Sequence, residues 1–131
     1  MNYFAVLVAA IVNMVMGGLW YSPLLFAKPW MALNNMTPES MKSVNPVPLY
    51  AQSFAATLVS YFILAMAINS LNITTAMDGL KTGFCVWLGF ITTVQFTANV
   101  FSPKKIQAYL IDTGYQLIAT LIAGVILAVW R

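Results

Sequence analysis

The sequence predicts an all-α integral membrane protein with four transmembrane helices, and this prediction rests on its composition and on four long apolar runs. Of the 131 residues, 61% are hydrophobic and only 7% are charged. An average soluble domain is about 25% charged, and a soluble fold of this length has too little interior for so much apolar surface. The runs cover residues 3–22, 49–69, 79–101 and 106–130, so we expect one transmembrane domain over residues 1–131, folded as an antiparallel bundle.

The first run, residues 3–22, ends in Trp20 and Tyr21, which are typical of a membrane–water interface. No Lys or Arg precedes Lys28, so the run lacks the basic region of a cleaved signal peptide. Asn13 lies near the middle of this span. We expect its amide to join neighbouring helices, at about 1 kcal/mol, and contact with a substrate is the alternative.

The longest polar connection, residues 24–47, contains too many apolar side chains for free solution, and Lys28 sits among them. This composition predicts an interfacial segment on the lipid headgroups between helices 1 and 2. Thr37, Pro38 and Glu39 have the pattern of a helix start. We expect the two prolines of residues 45–48 to end this segment.

The second and third runs, residues 49–69 and 79–101, are joined by a short turn and should be neighbours in the bundle. Ser53, Thr57 and Tyr61 line one stripe of the second run at helical spacing. In the third run, Gly79 and Gly83 permit close helix packing. Cys85 lies in an apolar context, which favours a small packing residue over a reactive thiol.

The fourth run, residues 106–130, contains Asp112, the acid that lies farthest from a predicted water boundary. Residues four apart form a ladder that begins with Asp112 and Gln116 and ends with Gly124 and Ala128. Its polar and small side should face another helix, because Gly and Ala permit close approach and the polar side chains need partners.

Polar side chains inside the spans form the candidate functional site. Ionisable residues within a membrane often mark ion or substrate pathways, and these stripes would line a polar route if they converge. The candidate residues are Asp112, Gln116, Tyr109, Tyr115, Asn13, Gln95 and Asn99.

Several classes of function are disfavoured by the residues that the chain lacks. It has no His and one Cys, so structural zinc and haem sites are not expected, and we expect no cofactor. Its serines have no histidine partner for nucleophilic catalysis, which disfavours an enzyme. The net charge of +3 is spread over several loops, which is not the pattern of a nucleic-acid interface.

The distribution of cations predicts the orientation in the membrane. Four lysines lie in the connections between spans 1 and 2 and between spans 3 and 4, and two cations lie on the other side. The four are Lys28, Lys42, Lys104 and Lys105, and the two are Lys81 and Arg131. Cytoplasmic connections carry the excess of Lys and Arg, so this count places both termini outside.

Three local strings resemble a family of small bacterial membrane proteins catalogued as domain of unknown function 1761. They are LWYSPLLF with the following KPW (residues 19–26 and 28–30), WLGF (residues 87–90) and GYQL (residues 114–117). The resemblance covers nearly the whole chain. It implies a four-helix, multi-pass protein of the bacterial inner membrane and adds no activity.

Two functions remain open from the sequence. A small or polar stripe on each of four helices favours a homo-oligomeric accessory or structural component, with the lipid bilayer and an unidentified membrane protein as partners. Gly124 to Ala128 and the Gly17 end of the first span are the expected contact surfaces between copies. The alternative is a small-solute or ion channel or transporter that uses the polar stripe around Asp112.

Overall fold

The computed structural model describes residues 2–20, 46–101 and 106–130. Within them the chain is helical, and four helical spans are long and apolar enough to cross a membrane. Most of the predicted interfacial segment, including its helix start at Thr37, lies outside the described residues. The helices are α1 (Tyr3–Trp20), α2 (Pro46–Ser70), α3 (Ala76–Val86), α4 (Thr93–Phe101) and α5 (Ile106–Val129). A π-helical turn, Trp87–Thr92, joins α3 to α4, so that Ala76–Phe101 forms one third span.

α2 begins at Pro46, in residues that the sequence analysis assigned to the end of the interfacial segment. The first backbone N–H groups of a helix have no acceptor within it, so a residue without an N–H costs little there. Proline also has a backbone φ close to that of a helix. Pro46 and Pro48 therefore fit the first turn of α2, and the residues before Pro46, where the predicted segment would end, lie outside the described residues.

The third span also begins earlier than predicted, at Ala76. Thr75 caps this helix, because its hydroxyl oxygen accepts a hydrogen bond from the Asp78 backbone N–H at 3.2 Å. The Asp78 carboxylate lies in the first turn, where it complements the helix dipole. Asn72 turns the chain between α2 and α3 with a φ of 55°, a conformation that Asn adopts more readily than most residues.

The π-helical turn interrupts a span that we predicted as a regular α-helix. It shifts the helical register, so the sides of α3 and α4 do not follow one continuous 3.6-residue pattern. α5 contacts both ends of this turn. The Trp87 indole N–H donates to the Thr113 carbonyl oxygen at 2.8 Å, and the Tyr109 hydroxyl donates to the Thr92 carbonyl oxygen at 2.7 Å.

α3 and α5 pack so closely that their backbones touch. Gly79 lies against Gly124, and a Cβ atom placed on Gly83 would lie 2.6 Å from the Thr120 carbonyl oxygen. The predicted role of Gly79 and Gly83 in close packing is thus confirmed. The buried core continues into α1, α2 and the rest of α5. It comprises Ala5, Val6, Ala9, Ala10, Tyr61, Leu64, Ala65, Ile68, Ala123, Leu127 and Ala128.

One of the two surfaces that we expected to join separate copies is instead used within the chain. Gly124 and Ala128 are buried against α3. A Cβ atom on Gly17 would lie 3.0 Å from the Tyr115 hydroxyl oxygen, so Gly17 makes room for that side chain. The prediction that Gly124 and Ala128 form an interface between copies is therefore wrong, because small residues indicate close approach without indicating which helix approaches. The Gly17 end of α1, where Gly17 is half-buried and Gly18 is exposed, stays a prediction.

The outer surface of the bundle is apolar in every described span. Val59, Phe90 and Phe101 are 65%, 73% and 83% exposed. Large contiguous apolar surfaces are rare on soluble monomers and suit contact with lipid acyl chains. Cys85 is on this exposed surface, whereas the sequence analysis expected a small packing residue.

Candidate intramembrane polar site

Asn13 connects three helices through its carboxamide. Its Nδ2 donates to the Tyr61 hydroxyl of α2 at 2.7 Å, and its Oδ1 accepts a hydrogen bond from the Tyr115 hydroxyl of α5. The Tyr115 hydroxyl also lies 3.1 Å from the Asn13 carbonyl oxygen. Asn13 lies about 15 Å along α1 from Tyr3, so this network is near the middle of a span, where a bilayer would offer no water to satisfy these groups.

Tyr61 extends the network from α2 to the backbone of α5. Its hydroxyl donates to the Ala119 carbonyl oxygen at 3.4 Å, and the side chain is only 5% exposed. The hydroxyl therefore accepts from Asn13 and donates to α5. A phenol that both accepts and donates is well satisfied in an apolar medium.

A second polar pair lies between α4 and α5, where Gln95 Nε2 donates to Gln116 Oε1. Each carboxamide has one oxygen and one amino group, so this bond uses the Gln116 oxygen and part of the Gln95 amino group. Among the described residues, the Gln95 oxygen and the Gln116 amino group have no hydrogen-bond partner. If both amides are flipped, Gln116 becomes the donor and Gln95 the acceptor, and one amide oxygen and one amino group again remain without a partner among the described residues.

Two cavities adjoin these polar groups and share Asn13, Ala56, Thr57 and Gln116 as lining residues. The smaller one, which we call the amide cavity, has a volume of about 330 Å³. The larger one, the tyrosine cavity, has a volume of about 550 Å³ and lies between α1, α2 and α5. Besides the shared residues, the amide cavity is lined by Ser60, Tyr61, Phe90, Ile91, Val94, Gln95, Ala119 and Thr120, and the tyrosine cavity by Met14, Gly17, Gly18, Tyr50, Ser53 and Tyr115.

The structure brings part of the candidate set together. Asn13, Gln95, Tyr115 and Gln116 are hydrogen-bonded in pairs and line the two cavities. The other three candidate residues, Tyr109, Asp112 and Asn99, line neither cavity.

Tyr109 instead pairs with the third span, since its hydroxyl lies 2.8 Å from the Thr92 hydroxyl. Asp112 is half-buried on α5, four residues before Gln116, and Asn99 is half-buried on α4. The polar side chains therefore occupy more than one location along the bundle, and the amide cavity is lined by Gln116 and not by Asp112.

The candidate set did not include the residues that α2 contributes. Tyr61 is central to the network, and Thr57 and Ser60 line the amide cavity. The signal was present, because Tyr61 lies on a polar stripe at the depth of a membrane interior. Tyrosine is also common at membrane interfaces, and its position alone does not distinguish these two roles.

Two tryptophans have hydrogen-bonding roles that the sequence did not indicate. The Trp20 indole N–H donates to the Ile111 carbonyl oxygen at 3.1 Å, as the Trp87 indole does to Thr113. Both carbonyl acceptors lie in the first half of α5, where the Thr113 hydroxyl also donates to the Tyr109 carbonyl oxygen at 2.9 Å. Within the described ranges, no cluster of three or more His, Cys, Asp or Glu residues is arranged to hold a metal ion.

Comparison with known proteins gives one result. A family model described as "Protein of unknown function (DUF1761)" matches residues 4–128. No curated protein and no solved structure matches the chain.

Proposed function

Because the chain belongs to the family of proteins of unknown function 1761, which assigns no activity, we propose a function from its surfaces: a non-enzymatic, homo-oligomeric structural or accessory component of the bacterial inner membrane. The bundle would be antiparallel, with residues 24–47 as an interfacial segment and both termini outside. An unidentified membrane protein is the further partner that an accessory role requires.

The observation that carries this proposal is a line of small and hydroxyl residues on the outside of the third span. We call it the outer stripe: Cys85, Gly89, Thr93 and Thr97. All four are exposed, and no atom of another span lies within 4 Å of where a Gly89 Cβ atom would be. The stripe is thus available to a helix from another molecule.

The outer stripe suits a helix better than it suits lipid. The Thr93 hydroxyl donates to the Gly89 carbonyl oxygen at 2.8 Å, and the Thr97 hydroxyl donates to the Thr93 carbonyl oxygen at 3.1 Å. These local bonds leave no donor in need of a lipid partner. A glycine inside a helix costs about 1 kcal/mol relative to alanine, and close approach of a second helix would offset this cost.

Cys85 provides a direct test, because it is the single cysteine of the chain and lies on the outer stripe. Oxidation with a membrane-permeant catalyst should give a disulfide-linked dimer, since a disulfide needs Cα atoms within about 7 Å of each other. The protein should be kept in bacterial membranes, at native expression level.

The matched control moves the cysteine to another lipid-facing position. Val59→Cys in a Cys85→Ala background places a thiol on α2, where Val59 is 65% exposed. It should cross-link much less than the wild type. Equal cross-linking at both positions, or none at Cys85, would contradict an interface at the outer stripe.

A channel or transporter is the second candidate, and the two adjoining cavities in the membrane interior favour it. Asp112 lies one helical turn before Gln116, which lines both cavities. If Asp112 carries protons or binds a cation, Asp112→Asn should fold and lose a pH- or cation-dependent flux in liposomes.

A structural role for Asp112 predicts a different pattern. Asp112→Asn should then be as stable as the wild type or more so, because it keeps hydrogen-bonding capacity and removes a buried charge. Asp112→Leu should be less stable, because it removes a hydrogen-bonding group from a place without water. A stable Asn variant without the wild-type flux would reject the purely structural role, and a wild type with no flux would remove support for transport.

A further inference from the structure

We propose that the amide cavity binds the hydroxyl head of a neutral lipid, which enters sideways from the bilayer. The starting point is the incomplete hydrogen bonding of the Gln95–Gln116 pair. Its remaining oxygen and amino group have no partner among the described residues. Both residues line the cavity, and an unsatisfied amide in hydrocarbon is strongly unfavourable. A ligand in the cavity would satisfy both groups.

A hydroxyl group has the right chemistry for this pair. It can donate to the Gln95 oxygen and accept from the Gln116 amino group at the same time. The Ser60 and Thr120 side chains line the same cavity and offer further hydroxyl contacts. An ether or a hydrocarbon would leave the amide oxygen without a donor.

The lining residues select against a charged ligand. Every described residue that lines the amide cavity is uncharged. An ion moved into such a site would lose its hydration without gaining an opposite charge. Lipids with phosphate or carboxylate heads are therefore poor ligands for this cavity, whereas an alcohol is a good one.

The lining residues indicate that the ligand comes from the bilayer. Ala56 and Ser60 of α2 line the cavity together with Phe90 and Val94 of the third span and with residues of α5. Phe90 and Val94 are 73% and 61% exposed, so the apolar wall continues onto the lipid-facing surface. A head group in the cavity would leave an apolar chain along this wall.

The volume of the amide cavity is also larger than the volume of a single water molecule that could bond to the two amides. The cavity holds about 330 Å³, and a water molecule occupies about 30 Å³ of liquid. Ligand pockets for small molecules begin at about 300 Å³. The space therefore accommodates a small head group with the first carbons of its chain.

The experiment uses a photoreactive hexadecanol that carries a diazirine in its chain and an alkyne at its end. The full-length protein in lipid nanodiscs is irradiated with this probe, and labelled peptides are identified by mass spectrometry. We expect labelling at residues 90–94 and 56–60 that excess hexadecanol prevents. The methyl ether of hexadecanol and hexadecyl phosphate should not prevent it.

Two variants test the role of the cavity itself. Gln116→Leu removes an amino group that would bind the hydroxyl, and labelling should fall about fivefold, the value for one lost hydrogen bond. Gln107→Leu is the matched control, because Gln107 is an exposed glutamine on the same helix and does not line the cavity. Ala56→Phe keeps both amides and fills the space from the exposed side of α2, so it should abolish labelling even if Gln116→Leu does not fold.

The result that would overturn the proposal is also specific. Labelling that the methyl ether prevents as well as the alcohol does would exclude recognition of a hydroxyl. Labelling unchanged in Ala56→Phe, or absent from residues 90–94 in the wild type, would show that the alcohol does not bind in the cavity. Neither result tests the proposed interface at the outer stripe, which the cross-linking of Cys85 tests separately.

Discussion

At the scale of single residues, Asn13 shows how few polar groups are needed to orient helices in a membrane. Its carboxamide contacts two tyrosine hydroxyls from two other helices. In water these groups would exchange partners with solvent at little net cost. Inside a bilayer no such exchange is available, so these two bonds add a directional constraint to the apolar packing of α1, α2 and α5.

Asn13→Leu should therefore destabilise the bundle although it makes α1 more apolar. The Tyr61 hydroxyl loses its donor and the Tyr115 hydroxyl loses its side-chain acceptor, and we expect a loss of about 1–2 kcal/mol in the free energy of unfolding. Equilibrium unfolding in mixed micelles would measure it. Thr82→Val is the control, because the Thr82 hydroxyl bonds only within α3, and its effect should stay within about 0.5 kcal/mol. A Leu variant as stable as the wild type would show that the network does not hold the bundle.

At the scale of helices, the third span combines two kinds of contact with α5. Its first part, with Gly79 and Gly83, touches the α5 backbone directly. Beyond the π-helical turn, contact is made through Gln95 and Thr92, and space remains for the amide cavity. The change from glycines to long polar side chains along one span thus separates a close-packed region from an open one.

Gly83→Ala tests the close-packed region. The added methyl group would lie 2.6 Å from the Thr120 carbonyl oxygen, so α3 and α5 must move apart. We expect a loss of about 1–3 kcal/mol, as for other overpacked sites. Gly18→Ala is the matched control, because no atom of the described residues outside its own turn of helix lies within 4 Å of the added methyl group, and it should stabilise the helix by up to about 1 kcal/mol. Thermal unfolding in nanodiscs would compare the two, and equal effects would contradict the packing described for α3.

The helices show which features the sequence can predict and which it cannot. Hydropathy indicates four spans, and glycines four residues apart indicate close packing. The π-helical turn has no such signature, because a pattern with a period of 3.6 residues assumes a regular helix. The pairing of Gln95 with Gln116 depends on the register beyond that turn, so the sequence identified both residues without indicating that they bond. Gly124 likewise indicated a close neighbour without indicating that the neighbour was α3.

At the scale of the whole molecule, packing is uneven along the bundle. The buried core uses the first half of α1, the second half of α2 and the second half of α5. The tyrosine cavity lies towards the opposite ends, near Gly17, Gly18 and Tyr50. α1 and α5 remain in contact along their length, since the Phe4 and Trp130 rings meet edge to face at 5.3 Å and Trp20 bonds to Ile111. The tyrosine cavity therefore lies beside a pair of helices that stay in contact, and α2 forms its remaining side.

The orientation proposed from the lysine count places the tyrosine cavity towards the cytoplasm. In a Cys85→Ala background, Lys42→Cys should resist a membrane-impermeant thiol reagent in intact cells, because its connection would be inside. Thr74→Cys is the matched position, since Thr74 is exposed in the turn between α2 and α3, and it should be labelled. Labelling of Lys42→Cys from outside would reverse the orientation.

The π-helical turn, Trp87–Thr92, has a consequence for how family members should be aligned. A relative with one residue fewer in this turn would form a regular α-helix there, and its later side chains would keep their directions, because the π-helical turn accommodates one extra residue. In a relative with the same number of residues but a regular α-helix, every later side chain of the third span would be rotated by about 100° around the helix axis. A glutamine aligned with Gln95 in such a relative would not face the helix that matches α5. The conformation of this turn, together with its length, is therefore expected to separate relatives that have the amide cavity from relatives that do not.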